Sequence, residues 1–199
     1  EIIREESTKD VEDEVSQPYE KASLPAIVSQ TEMHQERTEK LMQMIRTVVE
    51  IEAPVHSSEV TRRLMEAYGV TRAGTRITAA INDAIRLGTR HNQFSSKGNF
   101  IYSAGDQGIS IRNRAHLESS ERKLEWVAPE EIDQALLETI ALGFSMSRED
   151  AISNALSLLG FGRTTAKVAK TLDERIDRLV TRKDLQSIDG FLSKGDTRA

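Results

Sequence analysis

Residues 72–102 read RAGTRITAAINDAIRLGTRHNQFSSKGNFIY, and residues 163–193 read RTTAKVAKTLDERIDRLVTRKDLQSIDGFLS. In the first stretch Ile77, Ile81 and Ile85 recur every four residues, which predicts a helix over 73–87. A hairpin follows, residues 93–95 against 99–102 around Ser96-Lys97-Gly98. In the second stretch Val168, Leu172 and Ile176 predict a helix over 164–181. Asp189-Gly190 is then a strong hairpin signal between residues 185–188 and 191–192. A helix running into a two-stranded ribbon is the closing part of a winged helix, the helix-turn-helix variant with a β-wing.

Working outward, the two stretches belong to a longer correspondence. With the chain slid by 91 positions, Leu41, Ile45, Val49 and Ile51 fall on Ile132, Leu136, Ile140 and Leu142. Val60 and Leu64 fall on Ala151 and Ala155, Gly69 on Gly160, and Phe94, Phe100 and Ile101 on Leu185, Phe191 and Leu192. A register kept without gaps through helix-spaced and strand-spaced positions alike reads as two copies of one domain. First helices are predicted over 38–51 and 130–142, with Pro129 suited to a first turn. Second helices are predicted over 58–68 and 148–159. Ser147 with Asp150 three residues on resembles a capping box, and Gly69 and Gly160 stand where a left-handed C-cap is wanted. The expected fold is mainly α: a tandem winged helix whose two copies are related by a 91-residue internal repeat.

Charge divides the chain further. Residues 1–39 carry eleven acids against four bases, with Pro18 and Pro25, so residues 1–37 are expected to be an acidic linker or tail, partly disordered. Copy one, residues 38–102, is basic, and the connector, residues 103–128, is balanced at four against four. Copy two, residues 129–193, is acidic, and residues 194–199 form a tail. The 199 residues net −5, with 38% hydrophobic, 30% charged and no cysteine. A disulfide scaffold and thiolate metal sites are excluded, and no apolar run is long enough for a membrane span. A cytoplasmic location is expected. The chain opens on Glu1 rather than methionine, which suggests a fragment of a longer protein, and no basic-then-apolar segment opens it, so no signal peptide is expected.

At about 100° per residue, Arg72, Arg76, Asp83, Arg86 and Arg90 share one side of the third helix, opposite Ile77, Ile81 and Ile85. Such a face suits phosphate and base-edge contacts in a major groove, with Thr75 at the helix start. Lys97 and Asn99 on the wing would reach an adjacent backbone, and Arg62 and Arg63 on the second helix would add phosphate contacts. In copy two the corresponding set is Arg163, Lys167 and Lys170, followed by Glu174 and Asp177, which repel phosphate. Copy two is therefore the weaker nucleic-acid candidate and the better protein-interface candidate. No catalytic, metal or cofactor site is expected: His34, His56, His91 and His116 keep no metal-ligand spacing, and no phosphate loop or nucleophile elbow is present.

Several ordered phrases carry a family resemblance: Val48-Val49-Glu50-Ile51-Glu52-Ala53-Pro54-Val55-His56, Glu59-Val60 with Arg62-Arg63, and Gly69-Val70-Thr71-Arg72-Ala73-Gly74-Thr75-Arg76-Ile77. Ile111-Arg112-Asn113-Arg114, Pro129-Glu130-Glu131-Ile132 and Leu158-Leu159-Gly160-Phe161 continue it. Together, over about residues 39–192, they resemble the uncharacterised C-terminal domain of very large bacterial superfamily I helicases. Those proteins also carry a nuclease domain similar to very-short-patch-repair endonucleases, and some are associated with phage defence. The resemblance implies no catalytic residue here. Taken with the basic face of copy one, the leading expectation is a non-catalytic nucleic-acid-binding or positioning module that binds double-stranded DNA. The resemblance implies helicase and nuclease domains of the same polypeptide as partners, serving phage defence or DNA repair. The alternative is a protein–protein assembly module, with copy two meeting a protein partner.

Overall fold

The computed structural model describes residues 15–28, 31–105, 108–162 and 164–195. Among them are six α-helices and three small sheets, a mixed architecture in which helix predominates. All six helices expected from apolar periodicity are present, with ends within three residues of expectation. The chain divides into two compact units. A middle unit comprises Glu20–Gly108, and a split unit comprises Glu1–Tyr19 with Ile109–Ala199.

In the middle unit the order is α1 (Thr38–Glu52), β2 (Val55–His56), α2 (Ser57–Ala67), α3 (Thr75–Arg90), β3 (Phe94–Lys97) and β4 (Phe100–Ser103). The sheet order is β2-β4-β3, antiparallel throughout. Lys97 pairs with Phe100, so the turn is Gly98-Asn99, two residues long, rather than the expected Ser96-Lys97-Gly98. Helix spacing aims Leu41, Ile45 and Val48 of α1, Leu64 of α2 and Ile81 of α3 into one core, each at most 1% exposed. Burying one such side chain contributes about 1.5–3 kcal/mol.

The first described strand of the split unit is β1 (Ser16–Pro18), which pairs in parallel with β5 (Ile111–Asn113). Then follow α4 (Pro129–Gly143), β6 (Met146–Ser147), α5 (Arg148–Leu158), α6 (Ala166–Thr181), β7 (Leu185–Ile188) and β8 (Phe191–Lys194). The sheet order is β6-β8-β7. Its core gathers Leu136 and Ile140, Leu156 and Leu159, Leu172 and Ile176, with Leu192 of the hairpin. The Ser147 hydroxyl accepts from the Asp150 amide at 3.1 Å and donates to the Asp150 carboxylate at 2.7 Å, the capping pair its spacing suggests.

Two stretches expected as linker carry structure. Tyr19, Ala22 and Met33 are buried, the last two in the core of the middle unit. The connector holds β5 and a short 3-10 turn at Leu124–Trp126, and buries Ile111, Leu117 and Leu124. Residues 1–14, the greater part of the acidic tail, lie outside the described residues.

Candidate nucleic-acid interface

The third helix of the middle unit starts two residues later than periodicity suggests. Gly74 is its N-cap, and no side chain caps it. The N-cap therefore offers no side-chain acceptor to the orphan amides of the first turn, the positive end of the helix. Around that end stand Arg72, in the loop before the helix, and Thr75 and Arg76 in its first turn, all exposed. A first-turn arginine opposes the macrodipole, so Arg76 does not serve helix stability. Among the described residues neither arginine makes an ion pair.

Farther along, Arg86 is exposed and paired with Asp83, the acid that interrupts the basic face. Arg90, the last helical residue, is exposed and makes no ion pair among the described residues. Arg86 and Arg90 share an open cleft of about 650 Å³ with Glu39, Asp83, Thr89 and Ser96. The Thr89 hydroxyl is buried and unpartnered there. On the hairpin, Lys97 and Asn99 are exposed, and the Asn99 carbonyl accepts from the Ser57 amide at 2.8 Å.

Arg62 and Arg63 need correction as phosphate contacts. Arg63 is 2% exposed; its Nε donates to Glu52 Oε1 at 2.8 Å and its Nη2 to Glu52 Oε2 and Glu59 Oε2, each at 3.0 Å. It fills the core side of α2 between Val60, Leu64 and Ala67, and that spacing was the available signal. Glu52, wholly buried, also accepts from the Ala22 amide at 2.9 Å. Burial pushes the Glu59 carboxyl up, against the pull of Arg63 and Arg62, and the net shift is upward. Arg62 is half-buried; it donates a hydrogen bond to Glu59 at 3.3 Å and forms an ion pair with Glu66 at 3.7 Å, both within α2.

In the split unit, Lys167 and Lys170 are exposed on α6, while Arg163 lies outside the described residues. The start of α6 differs from that of α3: the Thr165 hydroxyl caps it, accepting from the Val168 amide at 3.3 Å. Farther along, Asp173 and Asp177 hold Arg148 at 2.5 and 2.6 Å.

The split unit also holds a buried charge cluster that residue patterns did not single out. Glu131, at 0% exposure, receives Arg112 Nη2 at 2.6 Å and Arg114 Nη1 and Nη2 at 2.8 and 2.9 Å. The Tyr19 ring lies 5.1 Å from the Arg112 guanidinium and 4.5 Å from that of Arg114. Burial raises the Glu131 carboxyl, but Arg114 and Arg112 together outweigh it and hold the group below its ordinary value. The alternation Arg112, Arg114 on β5 was the visible signal, since both face one side of a strand.

Among the described residues, no group of His, Asp or Glu is arranged to hold a metal, and no helix is long and apolar enough to cross a membrane. No curated protein and no solved structure matches this chain. Residues 31–79, which run from the 3-10 turn at Met33–Gln35 into the first turns of α3, match the family described as Protein of unknown function (DUF3320).

Proposed function

We propose that the chain is a non-catalytic nucleic-acid-binding or positioning module, built as two winged helices related by an internal repeat. It would be the C-terminal part of a large bacterial helicase–nuclease, with the motor and nuclease domains elsewhere in the same polypeptide. Two features support the fold reading: each unit runs helix, strand, helix, helix, strand, strand, and the first short strand pairs with the last. The family match over residues 31–79 fits the resemblance to helicase-attached domains over that part of the chain.

One observation carries the DNA reading: the uncapped start of α3, ringed by exposed Arg72, Thr75 and Arg76, with Arg90 at the far end of the same helix. Backbone amides and a positive dipole end favour an anion, and two arginines beside it favour phosphate. The wing would add Lys97 and Asn99. Arg86 is discounted because Asp83 neutralises it. Base-edge discrimination is not expected from so few contacts, so binding should be weak and largely indifferent to sequence.

The test is duplex DNA binding by the full chain as a function of salt. If Arg72, Arg76 and Arg90 meet phosphates, log affinity falls against log salt with a slope of about −2.7 from those three alone. Replacing all three by alanine should flatten the slope by about that amount, and the melting temperature should hold because all three are exposed. No duplex binding at low salt, or an unchanged slope in the variant, would overturn the reading.

A further inference from the structure

The hairpin of the split unit has a surface that its counterpart lacks. In the middle unit the pair nearest the turn is Lys97 with Phe100. Phe100 is 9% exposed, because His56 of the neighbouring strand meets it edge to face at 5.1 Å. In the split unit the pair nearest the turn is Ile188 with Phe191, and the residue of β6 beside Phe191 is Ser147. A serine is too small to cover the ring. Ile188 is 60% and Phe191 54% exposed, two apolar side chains side by side on the outer face of a hairpin. Phe144, three residues before Ser147, is 86% exposed and holds a left-handed φ of 60°, a conformation that brings the folded unit no burial.

The surroundings of the pair are acidic. Asp189 sits in the turn between Ile188 and Phe191. Asp150 accepts from the Ser147 hydroxyl, and Glu149, beside it in the first turn of α5, is exposed. Arg148, next to Glu149 in sequence, is held by Asp173 and Asp177, and Lys194 of β8 pairs with Leu185 at the far end of the hairpin from Ile188 and Phe191. Strand β7 is one of the two edges of its sheet and carries no charged side chain, unlike most protected edges.

We infer that the β7–β8 hairpin docks an extended, basic segment of another protein, with apolar side chains on Ile188 and Phe191 and lysine or arginine facing Asp189, Glu149 and Asp150. An apolar centre within an acidic rim selects that chemistry, and an uncharged edge strand offers backbone pairing to it. Nucleic acid is disfavoured because its phosphates would meet those same three carboxylates.

A short synthetic peptide of alternating leucine and lysine is the probe, with a leucine–glutamate peptide of equal length as its partner. The full chain should bind the first and not the second. Ile188→Ser with Phe191→Ser should weaken binding about tenfold or more, as loss of a central apolar anchor does. Both residues are exposed, so an unchanged melting temperature is expected for that variant. Glu149→Gln with Asp189→Asn keeps the apolar pair and should weaken binding severalfold, with a reduced salt dependence. Equal binding of both peptides, or equal binding by parent and serine variant, would overturn the proposal. So would a concentration-dependent dimer of the parent that the serine variant loses, since a second copy would then be the occupant.

Discussion

The two units run through the same order of elements and expose different chemistry at the same places. At the start of the third helix, the middle unit leaves Gly74 without a capping side chain beside Arg72 and Arg76, whereas the split unit closes the end with the Thr165 hydroxyl. At the hairpin, a lysine and a covered phenylalanine stand against an isoleucine and an open one. The cores are alike in kind, with leucine and isoleucine at helix spacing. Apolar cores tolerate substitution as long as volume and pattern are kept, while surface positions are free to change charge. The same order of elements can therefore present an uncapped helix start beside arginines in one unit and an open apolar pair beside carboxylates in the other.

Each unit buries a charge cluster, and the different partnering within the two sets the largest predicted effect. Glu131→Leu leaves the Arg114 guanidinium buried without its only carboxylate among the described residues, and deprives Arg112 of the same partner. Removing one side of a buried pair costs about 3–5 kcal/mol, and thermal unfolding of the full chain should report a loss of that order. Glu52→Leu in the middle unit should cost less, because Arg63 keeps Glu59 at 3.0 Å. Equal losses would show that the two clusters are energetically equivalent and break the contrast.

The next effect compares two glycines 91 positions apart. Both are left-handed, Gly69 at φ 64° and Gly160 at φ 82°. A Cβ at Gly69 would meet nothing, but at Gly160 it would fall 2.3 Å from the Ala115 amide nitrogen and 2.4 Å from that of Arg114. Gly69→Ala should cost about 1–2 kcal/mol from backbone conformation alone. Gly160→Ala adds a clash with backbone, and a total of about 3 kcal/mol or more is expected. Thermal melts of the two variants side by side decide it. A smaller loss at Gly160 would mean the 113–115 segment yields readily.

Legibility followed the length of the pattern. The six helices show because apolar residues repeat through three or four turns, as at Ile77, Ile81 and Ile85. The β7–β8 turn shows because Asp189-Gly190 suits it. The β1–β5 pairing was not legible: three residues on each strand, separated by some ninety positions, give alternation no room to appear. Arg63 was misread because a charged residue on an apolar helix face looks like a surface residue until its partners, Glu52 and Glu59, are known. Of the DNA candidates, Arg72, Thr75, Arg76, Arg86, Arg90, Lys97 and Asn99 are exposed. The missing cap at Gly74, on which the proposed anion site rests, became visible only in the backbone.

The smallest effect is the most local. Glu59 and Glu131 are both buried beside arginine, yet their carboxyls shift in opposite directions, because burial prevails at Glu59 and Arg114 with Arg112 prevail at Glu131. A raised carboxyl favours the fold below its unfolded value and loses that contribution as pH rises through the folded value. A depressed one stabilises above its unfolded value and loses it as pH falls through the folded value. Acidification below the ordinary carboxylate range should therefore leave Glu59 neutral while Glu131 remains charged. Glu59 ought to protonate first, and at the acid end the loosening due to Glu131 should begin in the split unit. Carbon-detected NMR titration of the two side-chain carboxyls measures this directly, with Glu59 titrating above the usual glutamate value and Glu131 below it. If Glu131 titrates above Glu59, Arg112 and Arg114 do not outweigh burial, and the pairing that distinguishes the split unit is weaker than its distances of 2.6 to 2.9 Å imply.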